Sequence, residues 1–367
     1  MNTYPTDIKP LTGLRFIAAF WLLLYFFWDR LGLGPREEFA LIERGGLGVD
    51  LFFILSGFIL AHVYGPQVEA KTFHWRSFIW ARLARIYPLH LVCLAVMLAI
   101  WAVGIKLGAP MDAEAFDVGQ LPAHLALMHA WGTVQSDGWN FPSWSISAEW
   151  FAYLLFPVMF GLAAMFRKSP LAGLLLAFGL FWICVAVAKQ MDMVLLKMTW
   201  QGGILRIVPA FLMGVALWFA GRNVVMAPNV AKLGVVGSLV WISLSPSFDL
   251  PSELIWPGLA GLVFFLAETS KHANHAVFAS KTWVYLGEIS FAAYMVHLPV
   301  DIVFYQIVER LIGTPTGLAA HAIGATAILL TWIVAALAHA IVENPARNFM
   351  RSHTPRFIRA SKTAMPV

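Results

Sequence analysis

LTGLRFIAAFWLLLYFFWDR, residues 11–30, is an apolar run that is long enough to cross a lipid bilayer. About 30 Å of hydrocarbon requires about 20 residues of helix at 1.5 Å per residue. Because lipid offers the backbone no hydrogen-bond partners, such a run must be helical. Similar runs recur along the chain, and we predict ten membrane spans, at 11–29, 46–64, 86–107, 143–166, 170–188, 203–220, 230–246, 254–268, 283–306 and 316–342.

The composition favours the same fold class. Of 367 residues, 60% are hydrophobic and only 12% are charged, about half the charged fraction of a typical soluble domain. This composition excludes an intrinsically disordered chain and favours an all-α integral membrane protein, a bundle of about ten transmembrane helices. The 2 cysteines, Cys93 and Cys184, lie in apolar runs, so we expect neither a disulfide framework nor a metal site.

The distribution of charge predicts the topology. Basic residues lie at the ends of the apolar runs rather than in one patch, which argues against nucleic acid as a partner. With the N-terminus in the cytoplasm, most of the 25 Lys and Arg residues fall on the cytoplasmic side, as the positive-inside rule requires. We therefore predict a multi-pass protein of a bacterial inner membrane with both termini cytoplasmic. Residues 1–350 would form the transmembrane domain and residues 351–367 a basic cytoplasmic tail.

Residues 71–85, KTFHWRSFIWARLAR, precede the third span and mix basic with aromatic residues at helical spacing. This pattern is typical of a helix that lies in the membrane interface. We predict a short basic interfacial helix here on the cytoplasmic side. The loop 108–142 on the opposite side contains an apolar stretch, 121–134, that is too short to span. We expect this stretch to pack over or dip into the outer face.

Ionisable residues inside membrane spans are costly and therefore mark candidate functional positions. Arg15 and position 26 are eleven residues apart, so they share one face of the first helix about 16 Å apart. Position 26 is phenylalanine. Asp50 and Glu149 lie near the outer ends of the second and fourth spans, and we predict that position 26, Asp50 and Glu149 form one outer polar pocket. His297, near the middle of the ninth span, is a further candidate, although a lone buried histidine is more often a packing residue.

A basic cluster is predicted at the cytoplasmic side. Arg82 and Arg85 are spaced i, i+3 and are neighbours on a helix surface. Arginine forks suit phosphate oxygens, and Arg15 is expected to join them. Glu343 and Arg347, spaced i, i+4, predict either an ion pair or an extension of this basic site. The alternative for Arg82 and Arg85 is that they only anchor the chain to anionic membrane lipids.

Six motifs occur in order along the chain: LTGLRFIAAFWLLLYF at 11–26, GGLGVDLFFILSGFIL at 45–60, FIWARLARIYPLH at 78–90, PSWSISAEWFAYLLFP at 142–157, LGEISFAAYMVHLP at 286–299 and VENPARNFM at 342–350. Together they resemble the acyltransferase-3 family of integral membrane O-acyltransferases. The resemblance implies an acyl-CoA donor, most simply acetyl-CoA, that arrives from the cytoplasm and needs no metal. The acceptor would be a hydroxyl of an extracytoplasmic carbohydrate or glycolipid.

The chain departs from this family at one position. The resemblance implies an arginine in the first span followed, eleven residues later, by an essential histidine; Arg15 matches and Phe26 does not. In the active form, a histidine at 26 would act as general base or briefly accept the acyl group, with Glu149 or Asp50 orienting it. Phenylalanine has no lone pair and no exchangeable proton. We therefore predict that the chain is inactive as written, with His297 as the next candidate if the base has been relocated.

Two other functions stay open at this stage. A pseudoenzyme that binds acyl-CoA without turnover is favoured by Phe26. A transporter or flippase of a lipid-linked sugar would use a similar polar interior. It would be expected to show inverted repeats and interrupted helices, which we do not find clearly in the sequence.

Overall fold

The computed structural model describes residues 4–108, 112–248, 250–272, 276–355 and 358. The described part is helical and has no strand. Its helices are α1 (Lys9–Leu31), α2 (Ala40–Glu43), α3 (Gly48–Glu69), α4 (Trp75–Lys106), α5 (Leu121–Leu125), α6 (Trp144–Met165), α7 (Pro170–Gln190), α8 (Gly203–Arg222), α9 (Pro228–Leu244), α10 (Ser252–Thr269), α11 (Lys281–Ile312), α12 (Gly317–Ala338) and α13 (Asn344–Ser352).

Within these described residues, nine helical segments are long and apolar enough to cross a membrane. They confirm nine of the predicted spans and the fold class. The remaining prediction, 254–268, coincides with α10, an 18-residue helix that carries Glu253 and Glu268 at its two ends and is not among the nine. α10 nevertheless packs inside the bundle against α3, α8 and α9.

The two ends of the bundle differ. Tyr4 and Ile358 lie at the same end. The Tyr4 hydroxyl donates to Glu268 near the end of α10, and the Ser77 hydroxyl, near the start of α4, donates to the carbonyl of Ile358. We call this end the terminal face and the opposite end, which carries the 108–142 loop, the loop face. The predicted tail, 351–367, falls mostly outside the described residues.

The predicted interfacial helix over 71–85 is not a separate element. α4 begins at Trp75 and continues without a break through Pro88 to Lys106. A proline inside a membrane helix is tolerated where neighbouring groups satisfy the freed carbonyl. Arg82 and Arg85 therefore lie within the first turns of a long helix, which directs them toward the bundle rather than along a membrane surface.

The centre of the bundle is built on two close helix pairs, α3 with α8 and α1 with α11. A Cβ atom on Gly57 of α3 would collide with the carbonyl of Phe211, and one on Gly214 of α8 with the carbonyl of Ile54. Small residues let helix backbones approach in this way. The contact of α1 with α11 brings Phe26 next to His297, and this determines the geometry of the site described below.

α12 ends in a π-helical turn, His339–Glu343, which leads directly into α13. Such turns are uncommon and often accompany functional sites. This turn buries Glu343 and starts α13, which packs against α4. Arg347 of α13 is thereby placed beside the arginines of α4.

Candidate active site

A cavity of about 580 Å³ opens at the terminal face. We call it the basic vestibule, because Arg15, Arg82, Arg85, Arg347 and Arg351 line it. The structure therefore brings the predicted basic residues together around one cavity. It combines side chains of α1, α4 and α13, which are far apart in the sequence.

Acidic and phenolic groups hold the vestibule arginines in place. Arg82 donates to the hydroxyl of Tyr64 at 3.1 Å, and its guanidinium lies 5.4 Å from the centre of the Tyr64 ring. Glu343 is buried and forms an ion pair with Arg85, while Arg347 lies 4.0 Å from the same carboxylate. Both alternatives for Arg347 are thus realised, since it faces Glu343 and also lines the vestibule. Glu343, together with Glu288 in the vestibule lining, offsets only two of the five arginine charges, so the vestibule stays cationic.

A narrower cavity of about 140 Å³ continues from the vestibule into the bundle. We call it the slot. It shares Arg15, Arg82 and Arg85 with the vestibule, and its deeper lining includes Glu149 and Tyr294. The two cavities therefore form one route from the terminal face toward the centre of the bundle.

Glu149 provides the acidic group of the slot. The hydroxyl of Ser56 donates to its carboxylate, which fixes that carboxylate between α3 and α6. Tyr153, one turn further along α6, lines the same cavity. The structure thus brings Glu149 together with the arginines of the vestibule.

Asp50 does not belong to this cavity, and the prediction that it shares a pocket with position 26 and Glu149 is wrong. It forms a two-pronged ion pair with Arg206, whose Nε lies 3.0 Å from Oδ1 and whose Nη2 lies 2.6 Å from Oδ2. Both side chains are buried. A carboxylate that is fully removed from water requires a cation beside it, and α8 supplies that cation 156 residues later in the chain.

Arg206 is a residue that the sequence reasoning missed. It is only 4% exposed, and its guanidinium lies 5.1 Å from the centre of the Trp144 ring. It also donates to the carbonyls of Gly46 and Met198. The available signal was its position inside the predicted span 203–220, where an arginine needs a partner.

Phe26 and His297 form a contacting pair between α1 and α11. Their ring centres are 4.5 Å apart and their planes are inclined by 31°. His297 is 3% exposed, and its Nδ1 lies 2.6 Å from the carbonyl of Tyr294. Because a carbonyl only accepts, Nδ1 carries the proton and Nε2 keeps its lone pair. Tyr294 lines the slot, so His297 lies about one helical turn along α11 from a residue of that cavity.

A group of buried imidazoles, which we did not predict from the sequence, lies near the loop face. The rings of His124 and His129 stack with centres 4.0 Å apart, and His90 stacks on His129 at 6.0 Å. Neither ring nitrogen of His124 has a hydrogen-bond partner among the described residues. Burial, reinforced by the neighbouring His90, lowers the pKa of His124 to about 3. Leu127 and Ala130 are also buried, so this part of the loop packs over the bundle as expected.

The arrangement has a defined chemical capacity. Guanidinium groups at a cavity mouth suit phosphate oxygens, which accept charge-assisted hydrogen bonds. The slot admits a narrow, extended group, and an imidazole with a free Nε2 lone pair can accept a proton. Among the described residues, no group of three or more His, Cys, Asp or Glu side chains is placed to hold a metal ion.

Comparison with known proteins identifies sequence relatives across nearly the whole chain. The sequence model of a family described as an acyltransferase domain matches residues 9–338. The chain is 30% identical to acyltransferase MdmB of Streptomyces mycarofaciens, over 95% of this chain and 94% of that protein. It is 25% identical to the exopolysaccharide production protein ExoZ of Rhizobium meliloti strain 1021, over 82% of this chain and 89% of that protein. No solved structure matches the chain.

Proposed function

Because this chain belongs to the acyltransferase-3 family of membrane O-acyltransferases, we propose that it transfers an acyl group from acyl-CoA to a hydroxyl of an extracytoplasmic carbohydrate or glycoconjugate. Acetyl-CoA is the simplest donor. The observation that carries the proposal is the continuous route formed by the basic vestibule and the slot. The name of ExoZ, which refers to exopolysaccharide production, supports a carbohydrate as the acceptor.

The proposed orientation places the terminal face in the cytoplasm of a bacterium and the loop face outside the inner membrane. The distribution of Lys and Arg along the sequence supports it through the positive-inside rule. Acyl-CoA is then available on the side where the vestibule opens. The acceptor approaches from the opposite end, so the two substrates meet inside the bundle.

Arg15, Arg82, Arg85 and Arg347 would hold the phosphates of the donor. Their guanidinium groups surround a cavity of about 580 Å³, and each charge-assisted hydrogen bond to phosphate is about twice as strong as a neutral one. The donor's extended arm would enter the slot past Glu149. The thioester would then lie near Tyr294, one turn from His297.

We propose His297 as the base of this chain. Phe26 cannot take a proton, but the ring of His297 lies against it and keeps a free Nε2 lone pair. The acceptor oxygen attacks the thioester carbonyl carbon while Nε2 takes the hydroxyl proton. The carbon–sulfur bond then breaks, and the proton passes from Nε2 to the departing CoA thiolate. The prediction of inactivity from Phe26 holds only if His297 does not reach the acceptor.

The test is an assay of the purified chain reconstituted into membranes. It measures the transfer of a labelled acetyl group from acetyl-CoA to carbohydrate. We expect His297→Gln to lower kcat by about 10² to 10⁴, the usual contribution of a general base. Phe26→His is expected to restore transfer in the His297→Gln background. If the unmodified chain is inactive and Phe26→His alone creates activity, the family assignment stands but His297 is not the base.

Donor binding needs its own measurement. We expect Arg82→Gln together with Arg85→Gln to weaken acetyl-CoA binding at least tenfold. Arg167→Gln is the matched control, because Arg167 is an exposed arginine outside both cavities. Unchanged affinity in the double variant would refute the vestibule as the donor site. Donor binding without transfer in every variant would favour the pseudoenzyme.

A further inference from the structure

A separate cavity of about 330 Å³ lies at the loop face, opposite the vestibule. We call it the loop-face cavity. It opens between the ends of α1 and α11 and the start of α12, and its polar lining includes Asp29, Arg30, Tyr305, Glu309 and Thr316. Ligand cavities begin at about 300 Å³, so this one is large enough for a single small ring.

One polar atom in this cavity lacks a partner. Tyr305 is 3% exposed, and its hydroxyl has no hydrogen bond within the described residues. Buried hydroxyl groups are nearly always hydrogen-bonded. A ligand that both donates and accepts would complete it, and a hydroxyl group does both.

The charged groups of the cavity are paired, with carboxylates in excess. Arg30 lies over the Tyr305 ring at 4.3 Å and contacts the carboxylates of Asp301 and Glu309 at 3.4 and 3.6 Å. The carboxylate of Asp29 lies 3.8 Å from the guanidinium of Arg36. The excess of carboxylates disfavours a phosphate, and because each carboxylate already faces a guanidinium group, the cavity favours a neutral ligand over a cation. Carboxylates, a guanidinium and a phenol remain available as hydrogen-bond partners for several hydroxyl groups.

Residues on the facing sides of α11 and α1 connect this cavity with the pair formed by Phe26 and His297. His297, Asp301 and Tyr305 are spaced at intervals of four on α11, and Phe26 and Arg30 are spaced likewise on α1. Residues at i and i+4 share a helix face, and α1 packs against α11. The cavity therefore lies about 12 Å along α11 from His297, as eight residues of helix require.

We propose that the loop-face cavity is a sugar-binding subsite that holds a neutral, hydroxyl-rich ring of the acceptor adjacent to the ring that is acylated. This proposal rests on the proposed function for the identity of the reaction. The separation from His297 places the bound ring beyond the acylated hydroxyl rather than at it. The subsite would consequently set affinity for oligosaccharides and leave the chemical step unchanged.

The test uses Tyr305→Phe, which removes only the unpartnered hydroxyl. Tyr285→Phe is the matched control, since Tyr285 lies on the same helix and is 49% exposed. Binding of a panel of neutral disaccharides, including cellobiose and maltose, is measured by saturation-transfer NMR, with inorganic phosphate and choline as charged probes. We expect Tyr305→Phe to weaken disaccharide binding about threefold to tenfold, the equivalent of one hydrogen bond. Tyr285→Phe should bind like the unmodified chain.

The outcomes separate the two proposals. Equal disaccharide binding by Tyr305→Phe and the unmodified chain, binding of none of the panel, or preference for phosphate or choline would each overturn the subsite. In acyl-transfer assays, Tyr305→Phe should raise the KM for an oligosaccharide acceptor and keep kcat and the KM for acetyl-CoA unchanged. If the unmodified chain binds disaccharides through Tyr305 but never transfers acetyl, the proposed function fails and the subsite stands.

Discussion

The buried pair of Asp50 and Arg206 provides the sharpest test of the structure, because sequence reasoning placed Asp50 in the catalytic pocket. The two groups share two hydrogen bonds of 3.0 and 2.6 Å and lie away from water. In Asp50→Asn the guanidinium loses its counter-charge and keeps only neutral acceptors, which are the new amide oxygen and the carbonyls of Gly46 and Met198. Leaving one member of a buried ion pair uncompensated typically costs about 3–5 kcal/mol, and we expect a loss of this size.

The double variant Asp50→Leu with Arg206→Met should recover most of that loss. Replacing both members of a buried pair by apolar residues leaves no unpaired charge and is often neutral. Stability can be followed in detergent with a fluorescent thiol reagent, because Cys93 and Cys184 are free, buried thiols that react only after unfolding. Glu69→Gln is the control, since the Glu69–Arg222 pair is partly exposed and such pairs contribute about 0–1 kcal/mol.

Two results would refute this reasoning. Equal destabilisation by Asp50→Asn and Glu69→Gln would show that the buried pair does not support the fold. Normal stability of Asp50→Asn together with a loss of kcat would restore the catalytic role that the sequence suggested. The structure predicts instead that acyl transfer per folded molecule is unchanged in Asp50→Asn.

Three further predictions follow from single positions. In the folded chain the pKa of His124 is lowered to about 3, whereas in the unfolded chain it is about 6.5. Between these values only the unfolded chain binds the proton, so the free energy of unfolding should fall as the pH decreases from about 6.5. The loss is up to about 1.4 kcal/mol per pH unit. His124→Gln should reduce this dependence in thermal scans at pH 4.5 and 7.5. Gly57→Ala should unfold the chain or lower its yield sharply, because the new Cβ collides with the carbonyl of Phe211; size-exclusion chromatography would show this. Glu343→Gln leaves Arg85 without its buried carboxylate and should lower the thermal midpoint.

The membrane helices were predictable because hydropathy is a local property. Length and apolar content predicted nine crossing segments and the position of α10 as a helix. The grouping of Arg15 with Arg82 and Arg85 was also predictable, since each lies near the end of its helix that is at the terminal face. Their role in binding phosphate stays a prediction.

The pairing between helices was not predictable from such local signals. Asp50 and Arg206 are 156 residues apart, and nothing in the sequence indicates that α3 and α8 are neighbours or how each is rotated. The continuous α4 was missed for a related reason, because basic residues at helical spacing are compatible with both an interfacial helix and the first turns of a spanning one. The π-helical turn at His339–Glu343 has no sequence signal that we could use.

The contact between Phe26 and His297 bears directly on the absence of a histidine at position 26. An imidazole at position 26 and the imidazole at 297 would lie side by side, because the present rings are 4.5 Å apart. Under the proposed mechanism, a nitrogen lone pair on either helix would act on the same acceptor hydroxyl. Phenylalanine is a flat ring of comparable size, so its presence preserves the packing that orients His297 against α1. Under the proposed mechanism, the loss of a base at 26 would remove one of two adjacent routes for the proton, and the hydrogen bond from Nδ1 to the carbonyl of Tyr294 would leave the second route open.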